Sequence, residues 1–431
     1  YDEDTTSMGG EAARHALRPV PELQPAALLF STTSPSYADK TNATAVHAAL
    51  RLDSDVPAFD ANGAVRSASG SWRLALANGG PALVVSADTR VGLPTSGDES
   101  EGGDGAAAFV FGDDSHGSVI AELLAVQSVT DEFTDRWRAP GEVRSKLWEE
   151  RFGEVMYVSV GERAWNAALK DAQLEASQID RVIVTGTHSR AVRVLSGKLG
   201  TAAEAKVDDL AATVGNTGAA HPGLLLASVL DTATPGQVVA VVVLADGADV
   251  FLFRTTDAIG AFTPSRPVAQ QIEAGGPLPY GKFLSWKGMV TVEPPRRPEP
   301  ARPSSSAAHR REDWKYGFVG SRDNATGIVH LPPQRIGING GAVDDMSPAP
   351  MADVQGTVVT FTVDRLAYSP SPPIVFAVVD FDGGGRMPVE LTDCDPTDIQ
   401  IGTRVEMTFR RLFTSDGIHN YFWKARPVRG A

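Results

Sequence analysis

Short apolar runs alternate with stretches of helical pattern from residue 26 to about residue 256. The runs are rich in β-branched residues and lie at 27–30, 82–85, 107–111, 182–184, 238–244 and 250–253. Between and before them, the spacing of apolar positions predicts helices at 8–17, 44–50, 161–172, 191–199 and 222–230. Continuous apolar strands separated by helices are typical of a sheet buried between helical layers. Each half ends with two neighbouring strands, which indicates a duplicated α/β unit.

The pattern changes after residue 260. Prolines recur from Pro294 to Pro303, and this composition predicts an extended connector over 261–311 rather than a packed core. Beyond Trp314, strand-like runs follow one another without long helices, at 356–363, 374–381, 386–391, 404–410 and 420–425. Strands at this spacing predict a small antiparallel barrel, for which the OB-fold is the natural candidate.

Composition and charge narrow the class of protein. The chain has 431 residues, of which 42% are hydrophobic and 21% charged, so we expect two or three packed units. A net charge of −14 argues against general affinity for nucleic acid or anionic membranes. The sequence has neither a run long enough to span a membrane nor a signal-peptide pattern, and a cytoplasmic location is expected. The single cysteine, Cys394, excludes an intramolecular disulfide and fits a reducing compartment.

Six motifs occur in a fixed order along the first part of the chain. They are TSPSYADK from Thr33, AFD from Ala58, GDGAAAF from Gly103, DRWRAPG from Asp135, THS from Thr187 and VGNTG from Val214. Together they resemble the bacterial and archaeal 3-hydroxy-3-methylglutaryl-CoA (HMG-CoA) synthases, and they are also similar to the type III ketoacyl synthases. The resemblance covers nearly all of residues 1–260, and several motifs in register are far more specific than any one.

This resemblance implies an α/β protein with the duplicated thiolase-like fold, in layers ordered αβαβα. The two pseudo-repeats would occupy about 1–130 and 131–260, and a first strand and loop would precede Tyr1. Residues 312–431 resemble the zinc-ribbon and OB-fold domains that accompany such enzymes. The predicted organisation is therefore a thiolase-like domain at 1–260, the connector at 261–311 and a degenerate zinc ribbon plus OB-fold at 312–431.

Members of the family bind an acyl thioester through a pantetheine tunnel and transfer the acyl group to a cysteine. A histidine and an asparagine then stabilise charge on the thioester oxygen, which requires donors that are fixed before the charge develops. His188 matches that histidine and Asn216 that asparagine. A polar residue at a strand end and a turn residue are the simpler alternatives, and the paired motifs favour function for both. His221 either caps the next helix or faces the pocket, and the sequence favours neither.

The chain departs from the family at both reactive positions. Val65 stands at the position of the nucleophile, and Thr33 stands where a glutamate acid would be. A valine cannot carry an acyl group, so the covalent mechanism is unavailable and HMG-CoA synthesis is not expected. Ser67 would point elsewhere from the start of the same helix, and Cys394 lies beside two carboxylates that would raise its pKa. Neither is expected to replace the nucleophile.

The zinc-ribbon segment also differs from its family, at the positions of the metal ligands. Its four cysteine positions are occupied by Asp323, Thr326, Gly337 and Gly340. Zinc needs thiolate or imidazole ligands in a tetrahedral array, and glycine offers none. We expect no structural zinc, no other metal and no bound cofactor.

Several residues are candidates for contact with the substrate, a CoA or acyl-carrier pantetheine thioester. They are Val65, Thr33, Tyr37, Trp137 and Arg138. A packing role remains favoured for Tyr37 and for Tyr157, although related aldolases use tyrosine in acid–base work. Further basic residues that could hold CoA phosphates or a carrier protein are Arg136, Arg190 and Arg193. For the last two, a solvated helix face is an equal alternative.

Three classes of function remain. The first is an enzyme that forms or breaks a carbon–carbon bond, or transfers an acyl group, without an acyl-enzyme. The second is a non-catalytic subunit that supports a partner enzyme or carrier protein, and the third is a cyclase or lyase that uses the tunnel as a shaped cavity. Loss of the nucleophile, the acid and the zinc ligands favours specialised metabolism, such as antibiotic biosynthesis, whereas retention of His188 and Asn216 favours chemistry. A homodimer is expected, with the apolar strand at 82–87 as its pairing edge.

Overall fold

The computed structural model describes residues 1–428 except 79 and 341–342. The described chain divides into two compact units. One, called here the α/β unit, consists of Ala12–Thr44 and Asp53–Pro277. The other, the barrel unit, consists of Tyr1–Glu11, Ala45–Leu52 and Leu278–Ala431. The barrel unit therefore includes two short segments from the early part of the chain.

Two sheets of mixed parallel and antiparallel pairing form the α/β unit. The strands of the first are β1 (Ala27–Thr32), β2 (Ala58–Asn62), β3 (Ala82–Thr89) and β4 (Asp104–Phe111), in the order β2-β1-β3-β4. After β5 (Ala121–Val129) come a short hairpin, β6 (Arg136–Trp137) and β7 (Lys146–Leu147), and then β8 (Arg181–Gly186), β9 (Val238–Leu244) and β10 (Ala248–Thr255). The second sheet has the order β5-β10-β9-β8. In both sheets the parallel strands are followed by an antiparallel one, as expected for a duplicated unit.

The helices up to residue 273 are α1 (Thr5–Leu17), α2 (Ala43–Leu50), α3 (Ser67–Ala77), α4 (Gly97–Glu101), α5 (Glu150–Ala172), α6 (Ser189–Lys198), α7 (His221–Leu230) and α8 (Val268–Glu273). Of these, α3, α5, α6 and α7 pack against the two sheets. The helix predicted at 161–172 is the second half of α5. Residues of α1 and α2 are divided between the two units. No helix in the described chain combines the length and apolar character needed to cross a bilayer.

Strand β9 shows why the central runs are apolar throughout. All seven of its residues are buried. Alternate side chains point to opposite faces of a strand, so Val239 and Val241 pack in one core with Trp72, whereas Ala240 and Val242 pack in another. A strand covered on both faces has no polar side, and this explains the missing alternation.

The prediction that the strand at 82–87 forms the pairing edge of a dimer is wrong. Strand β3, which contains the apolar run 82–87, pairs with β1 on one side and with β4 on the other. Its apolar character reflects burial on both faces rather than a free edge. Among the described residues, the edges of this sheet are β2 and β4.

The barrel unit is built of short strands. After α9 (Tyr280–Trp286), α10 (Ser305–Arg310) and α11 (Glu312–Lys315), a small sheet is formed by β11 (Val319–Asp323), β12 (Val329–His330) and β13 (Met346–Pro350). A closed barrel follows, of β14 (Gly356–Asp364), β15 (Ile374–Phe381), β16 (Arg386–Leu391), β17 (Arg404–Ser415) and β18 (Ile418–Pro427). Each of the five predicted runs lies in one of these barrel strands, and the predicted barrel is confirmed.

Candidate functional site

His188 lies two residues beyond the end of β8 and caps α6. Its Nδ1 accepts a hydrogen bond from the N–H of Ala191 at 3.1 Å, and its Nε2 lies 2.9 Å from the carbonyl oxygen of Glu150. An Nδ1 that accepts leaves the proton on Nε2, which donates to that carbonyl. The buried ring therefore offers one N–H donor in this arrangement, at Nε2.

Asn216 reaches the end of the same strand. Its Nδ2 donates to the carbonyl of Gly186 at 2.8 Å, and its Oδ1 accepts from the N–H of Gly218 at 2.9 Å. Gly215 has φ 79°, and a Cβ there would lie 2.8 Å from the carbonyl oxygen of Gly102. Only glycine suits this turn. The structure thus brings Asn216 to the strand that His188 follows.

Asp135 lies beside His188 and was missed as a site residue by sequence reasoning. Its side chain is buried, and Oδ2 has no hydrogen-bond partner among the described residues. A Cβ at Gly153 would lie 2.1 Å from Oδ1 of Asp135 and 3.2 Å from Cδ2 of His188, so both groups face the same small space. Burial raises the pKa of Asp135, although the nearby His188 opposes the rise. The only sequence signal was its place at the start of the DRWRAPG motif.

Tyr157 completes this cluster from α5. Its ring meets that of His188 edge to face, with centroids 5.8 Å apart, and packs on Phe133 at 4.9 Å. Burial raises the pKa of the Tyr157 hydroxyl, and the carboxylates of Asp246 and Asp135 raise it further. The hydroxyl therefore stays protonated at neutral pH.

A second buried carboxylate, Asp88, lies at the end of β3. It accepts hydrogen bonds from five donors, the hydroxyls of Thr32, Thr33 and Ser34 and the backbone N–H groups of Thr33 and Ala219. These distances run from 2.6 to 3.1 Å. Thr33, predicted to contact the substrate, is thus a hydrogen-bond donor to a fully buried carboxylate. Asp88 joins the end of β1 to the loop that carries Asn216.

Val65 lies just before α3, half-buried against the core that contains Trp72. The next residue, Arg66, forms an ion pair with Asp249 at 3.1 Å and donates to the carbonyl of Asp246 at 2.7 Å. These bonds hold the start of α3 against the second sheet. Val65 is therefore fixed by its neighbour, while its own side chain offers only methyl groups.

His221 is the first residue of α7, and its ring is buried. Nδ1 lies 3.3 Å from both the N–H and the hydroxyl of Thr217. Burial lowers the pKa of His221 to about 4, although nearby Asp209 opposes the shift, so the ring is neutral at physiological pH. Its contacts hold the local loop together.

The remaining residues that the sequence predicts to contact the substrate or a carrier make separate contacts. Arg138 donates to the carbonyl of Thr33, and Trp137 contacts Trp148 with ring centroids 6.4 Å apart. Tyr37 is half-buried and donates its N–H to Asn42 at 2.9 Å. Arg136 pairs with Asp98 at 2.8 Å, Arg190 pairs with Glu154, and Arg193 is exposed. Of these basic residues, Arg138 is the one bonded directly to a residue of the Asp88 network.

In the barrel unit, Oδ1 of Asp323 accepts from the N–H groups of Ala325 and Thr326 at 2.8 and 3.1 Å. Within the described ranges, no group of three or more His, Cys, Asp or Glu side chains could hold a metal. The absence of zinc stays a prediction, to be tested by metal analysis. Burial, with help from Asp393, raises the pKa of Cys394 to about 12. That thiol is protonated and a poor nucleophile.

Known proteins resemble both units. The family model for the ChsH2 C-terminal OB-fold domain matches residues 349–410. The hydroxymethylglutaryl-CoA synthase of Aeropyrum pernix is 31% identical over 303 residues, covering 68% of this chain and 83% of that protein. That of Methanosphaera stadtmanae is 28% identical over 303 residues, covering 68% and 86%.

Solved structures agree on the fold. MvaS in complex with 3-hydroxy-3-methylglutaryl coenzyme A is 18% identical with a TM-score of 0.53, covering 70% of this chain and 83% of that one. The 3-oxoacyl-(acyl carrier protein) synthase III FabH of Pseudomonas aeruginosa is 21% identical with a TM-score of 0.51, covering 59% and 84%. The predicted thiolase-like fold and OB-fold barrel are confirmed. The identity and coverage of the first relative show that this chain belongs to the hydroxymethylglutaryl-CoA synthase family.

Proposed function

We propose that this condensing-enzyme relative acts on an acyl thioester in specialised metabolism without forming an acyl-cysteine. The reaction would form or break a carbon–carbon bond, or transfer an acyl group. The chain has one cysteine, Cys394, which lies in the barrel unit with its thiol protonated. The α/β unit therefore has no thiol to accept an acyl group.

The observation that carries this proposal is the buried Asp135 carboxylate beside the His188 ring, with one oxygen that has no hydrogen-bond partner among the described residues. Buried polar atoms are almost always hydrogen-bonded, because an unpaired one costs stability. A buried carboxylate with a raised pKa next to an imidazole is typical of a reactive site. Asp135 is thus the candidate general base, with a pKa moved toward the working pH.

The proposed reaction uses Asp135 as the base and the hydrogen-bond donors of His188 and Asn216. Asp135 would take the proton from the carbon next to the thioester carbonyl, and the electron pair would move onto the carbonyl oxygen as an enolate. Nε2–H of His188 and Nδ2–H of Asn216, now bound to backbone carbonyls, would exchange these acceptors for the enolate oxygen. Attack of the enolate carbon on a second carbonyl would then form the new bond and leave an alkoxide, which would take the proton held by Asp135. The reverse sequence would break such a bond.

A second candidate is a non-catalytic subunit that supports a partner enzyme or carrier protein. One observation favours it. Both ring nitrogens of His188 and both polar atoms of the Asn216 amide are already bonded to backbone groups. Residues that only hold loops would have the same contacts.

The test is turnover with a panel of acyl-CoA and acyl-carrier thioesters, followed by product analysis and intact mass. We expect product without mass addition to the protein, and loss of product in Asp135→Asn. The matched control is Asp131→Asn, because Asp131 is a partly exposed carboxylate that pairs with Arg163. A persistent acyl adduct would contradict the cysteine-free reaction, and a full panel without product would favour the supporting subunit.

Val65→Cys is the complementary experiment. The variant puts a thiol at the position that the resemblance assigns to the family's nucleophile. We expect acetyl-CoA to add one acetyl group, visible by mass, with little gain in native activity. Val65→Ser, which is the same size and far less nucleophilic, is the control. An unmodified Val65→Cys protein would show that this position does not face the thioester.

We also propose that the protein is a homodimer. Within the described sheet, β2 pairs only with β1, and Phe59 on β2 is 57% exposed. Antiparallel pairing of β2 with its copy would cover both the edge and this ring. Light scattering should give twice 45.5 kDa, and Phe59→Glu should lower it to the monomer mass. A monomeric wild-type protein would refute the dimer.

A further inference from the structure

We propose that Asp246 is the outlet through which the proton held by Asp135 exchanges with solvent, and that the hydroxyl of Tyr157 passes the proton between them. Asp246 lies in the turn between β9 and β10 and is exposed. Tyr157 and Asp135 are both buried. The inference rests on the proposed function, because it concerns the proton that Asp135 would take from the thioester.

A buried base needs a route by which its proton can leave. Both ring nitrogens of His188 are bonded to backbone groups, Nδ1 to the N–H of Ala191 and Nε2 to the carbonyl of Glu150, so this ring offers no such route in the arrangement described. The ring of Tyr157 packs edge to face on that of His188, with centroids 5.8 Å apart. Its hydroxyl can accept one proton and give up another, so it can carry a proton without becoming charged.

The Tyr157 hydroxyl is close to both carboxyl groups. It accepts a hydrogen bond from the backbone N–H of Asp246. After burial, the charges of Asp246 and Asp135 are the next largest influences that raise the pKa of this hydroxyl. Burial likewise raises the pKa of Asp135, and the charge of Asp246 adds to the rise. The three groups therefore form one cluster, in which the tyrosine is bonded to the residue that carries the exposed carboxylate.

The backbone of the turn that carries Asp246 is held in place. Asp246 has φ 46° and Gly247 has φ 131°. The carbonyl of Asp246 accepts from Arg66 at 2.7 Å, and a Cβ at Gly247 would lie 2.4 Å from the carbonyl oxygen of Val129. Aspartate and asparagine are the non-glycine residues that adopt this left-handed backbone most readily. Either residue suits the turn, but only aspartate brings a carboxylate to the cluster.

The proposed transfer balances in protons and moves no electrons between groups. Protonated Asp135 gives its proton to the oxygen of Tyr157 while the phenol proton moves to a carboxylate oxygen of Asp246. Asp135 is then ionised again, Tyr157 is still a neutral hydroxyl, and Asp246 loses the proton to water. Partial burial raises the pKa of Asp246, although Arg66 opposes the rise and Glu132 adds to it. Because the pKa values of both carboxyl groups are raised, a proton can pass between them at little cost.

Deuterium exchange with the full chain tests this. Acetyl-CoA and butyryl-CoA are each incubated with the protein in D2O, and mass spectrometry of the recovered thioester measures the deuterium gained next to the carbonyl. Asp246→Asn and Tyr157→Phe should each slow the exchange by about tenfold or more, because the proton on Asp135 then returns to the carbon it came from. Product formation from the thioester panel should fall by a smaller factor, since the alkoxide takes the same proton directly. Asp416→Asn is the matched control, because Asp416 and Gly417 form an Asp-Gly turn of positive φ in the barrel unit.

The other outcomes overturn the inference in different ways. Exchange at the wild-type rate in Asp246→Asn would remove the outlet while the proposed function stands. Exchange lost in Asp246→Asn but kept in Tyr157→Phe would take the hydroxyl out of the path. Exchange and product formation that fall by the same factor would make Asp246 a structural residue of its turn. A wild-type protein that forms product without exchanging deuterium would have no outlet, and one that does neither would refute the proposed function as well.

Discussion

Asp88 and Asp135 are both buried in the α/β unit, yet their surroundings differ. Asp88 accepts hydrogen bonds from five donors, whereas Oδ2 of Asp135 has none from the described residues. A fully bonded carboxylate holds backbone segments in place. An unpaired one lowers stability, and its retention in a packed site points to use in a reaction. The difference shows that burial alone does not identify a reactive carboxylate, whereas its hydrogen bonding does.

The contrast between a structural Asp88 and a reactive Asp135 fails most directly if the neighbours of Asp135 are not part of the reaction. His188→Ala and Asn216→Ala should each slow turnover by about two to three orders of magnitude, as loss of a fixed donor to an oxyanion does. Folding, followed by circular dichroism, should be preserved. His116→Ala, which changes a partly exposed histidine bonded to Asp113, is the control. Full activity in both variants would leave Asp135 as an unexplained group and move the supporting subunit ahead.

Substitution of the two aspartates should also change the stability of the protein by different amounts. Asp88→Asn should lower the free energy of unfolding by about 3 kcal/mol, because several buried donors lose a charged acceptor. Asp135→Asn should change it by less than about 0.5 kcal/mol or raise it, since few bonds are lost. Urea unfolding of both variants measures the difference. Equal losses would mean that Asp135 is as well bonded as Asp88 in solution.

A smaller effect should appear in the pH dependence. Burial raises the pKa of folded Asp135 above its unfolded value of about 4. The folded state then binds the proton more tightly, so this group lowers the free energy of unfolding as pH rises from about 4 through the raised pKa. Asp135→Asn lacks this term, so its stability relative to wild type should rise over that window and then level off. A flat difference from pH 4 to 8 would count against a raised pKa.

Much of the fold could be predicted from the sequence, because the signals were local. The run Val238–Leu244 is a buried strand, and the motifs of His188 and Asn216 place both near the end of β8. Strands β2 and β5 were not among the predicted apolar runs. Their residues are mostly half-buried, so they lack the continuous apolar pattern of a central strand.

The contrast between the two aspartates could not be predicted. Five donors reach Asp88 from two separate parts of the chain, and no spacing rule links Thr33 to Ala219. The position of the Asp135 carboxylate depends on Gly153, which leaves room for Oδ1 against α5. Both are properties of three-dimensional bonding, and a one-dimensional pattern shows neither.

The barrel unit combines segments from the first and last parts of the chain, and this limits where the gene can be divided to express a fragment. Lys424 and Arg410 are almost fully buried, and both form ion pairs with Asp2, while Arg426 pairs with Glu11. A fragment expressed from residue 278 onward would keep these cations and lose part of their counter-charge, so we expect it to be poorly soluble. Supplying a synthetic peptide of residues 1–17 during refolding should recover it in low salt. The first residues of the polypeptide thus behave as a cofactor for folding of its last part.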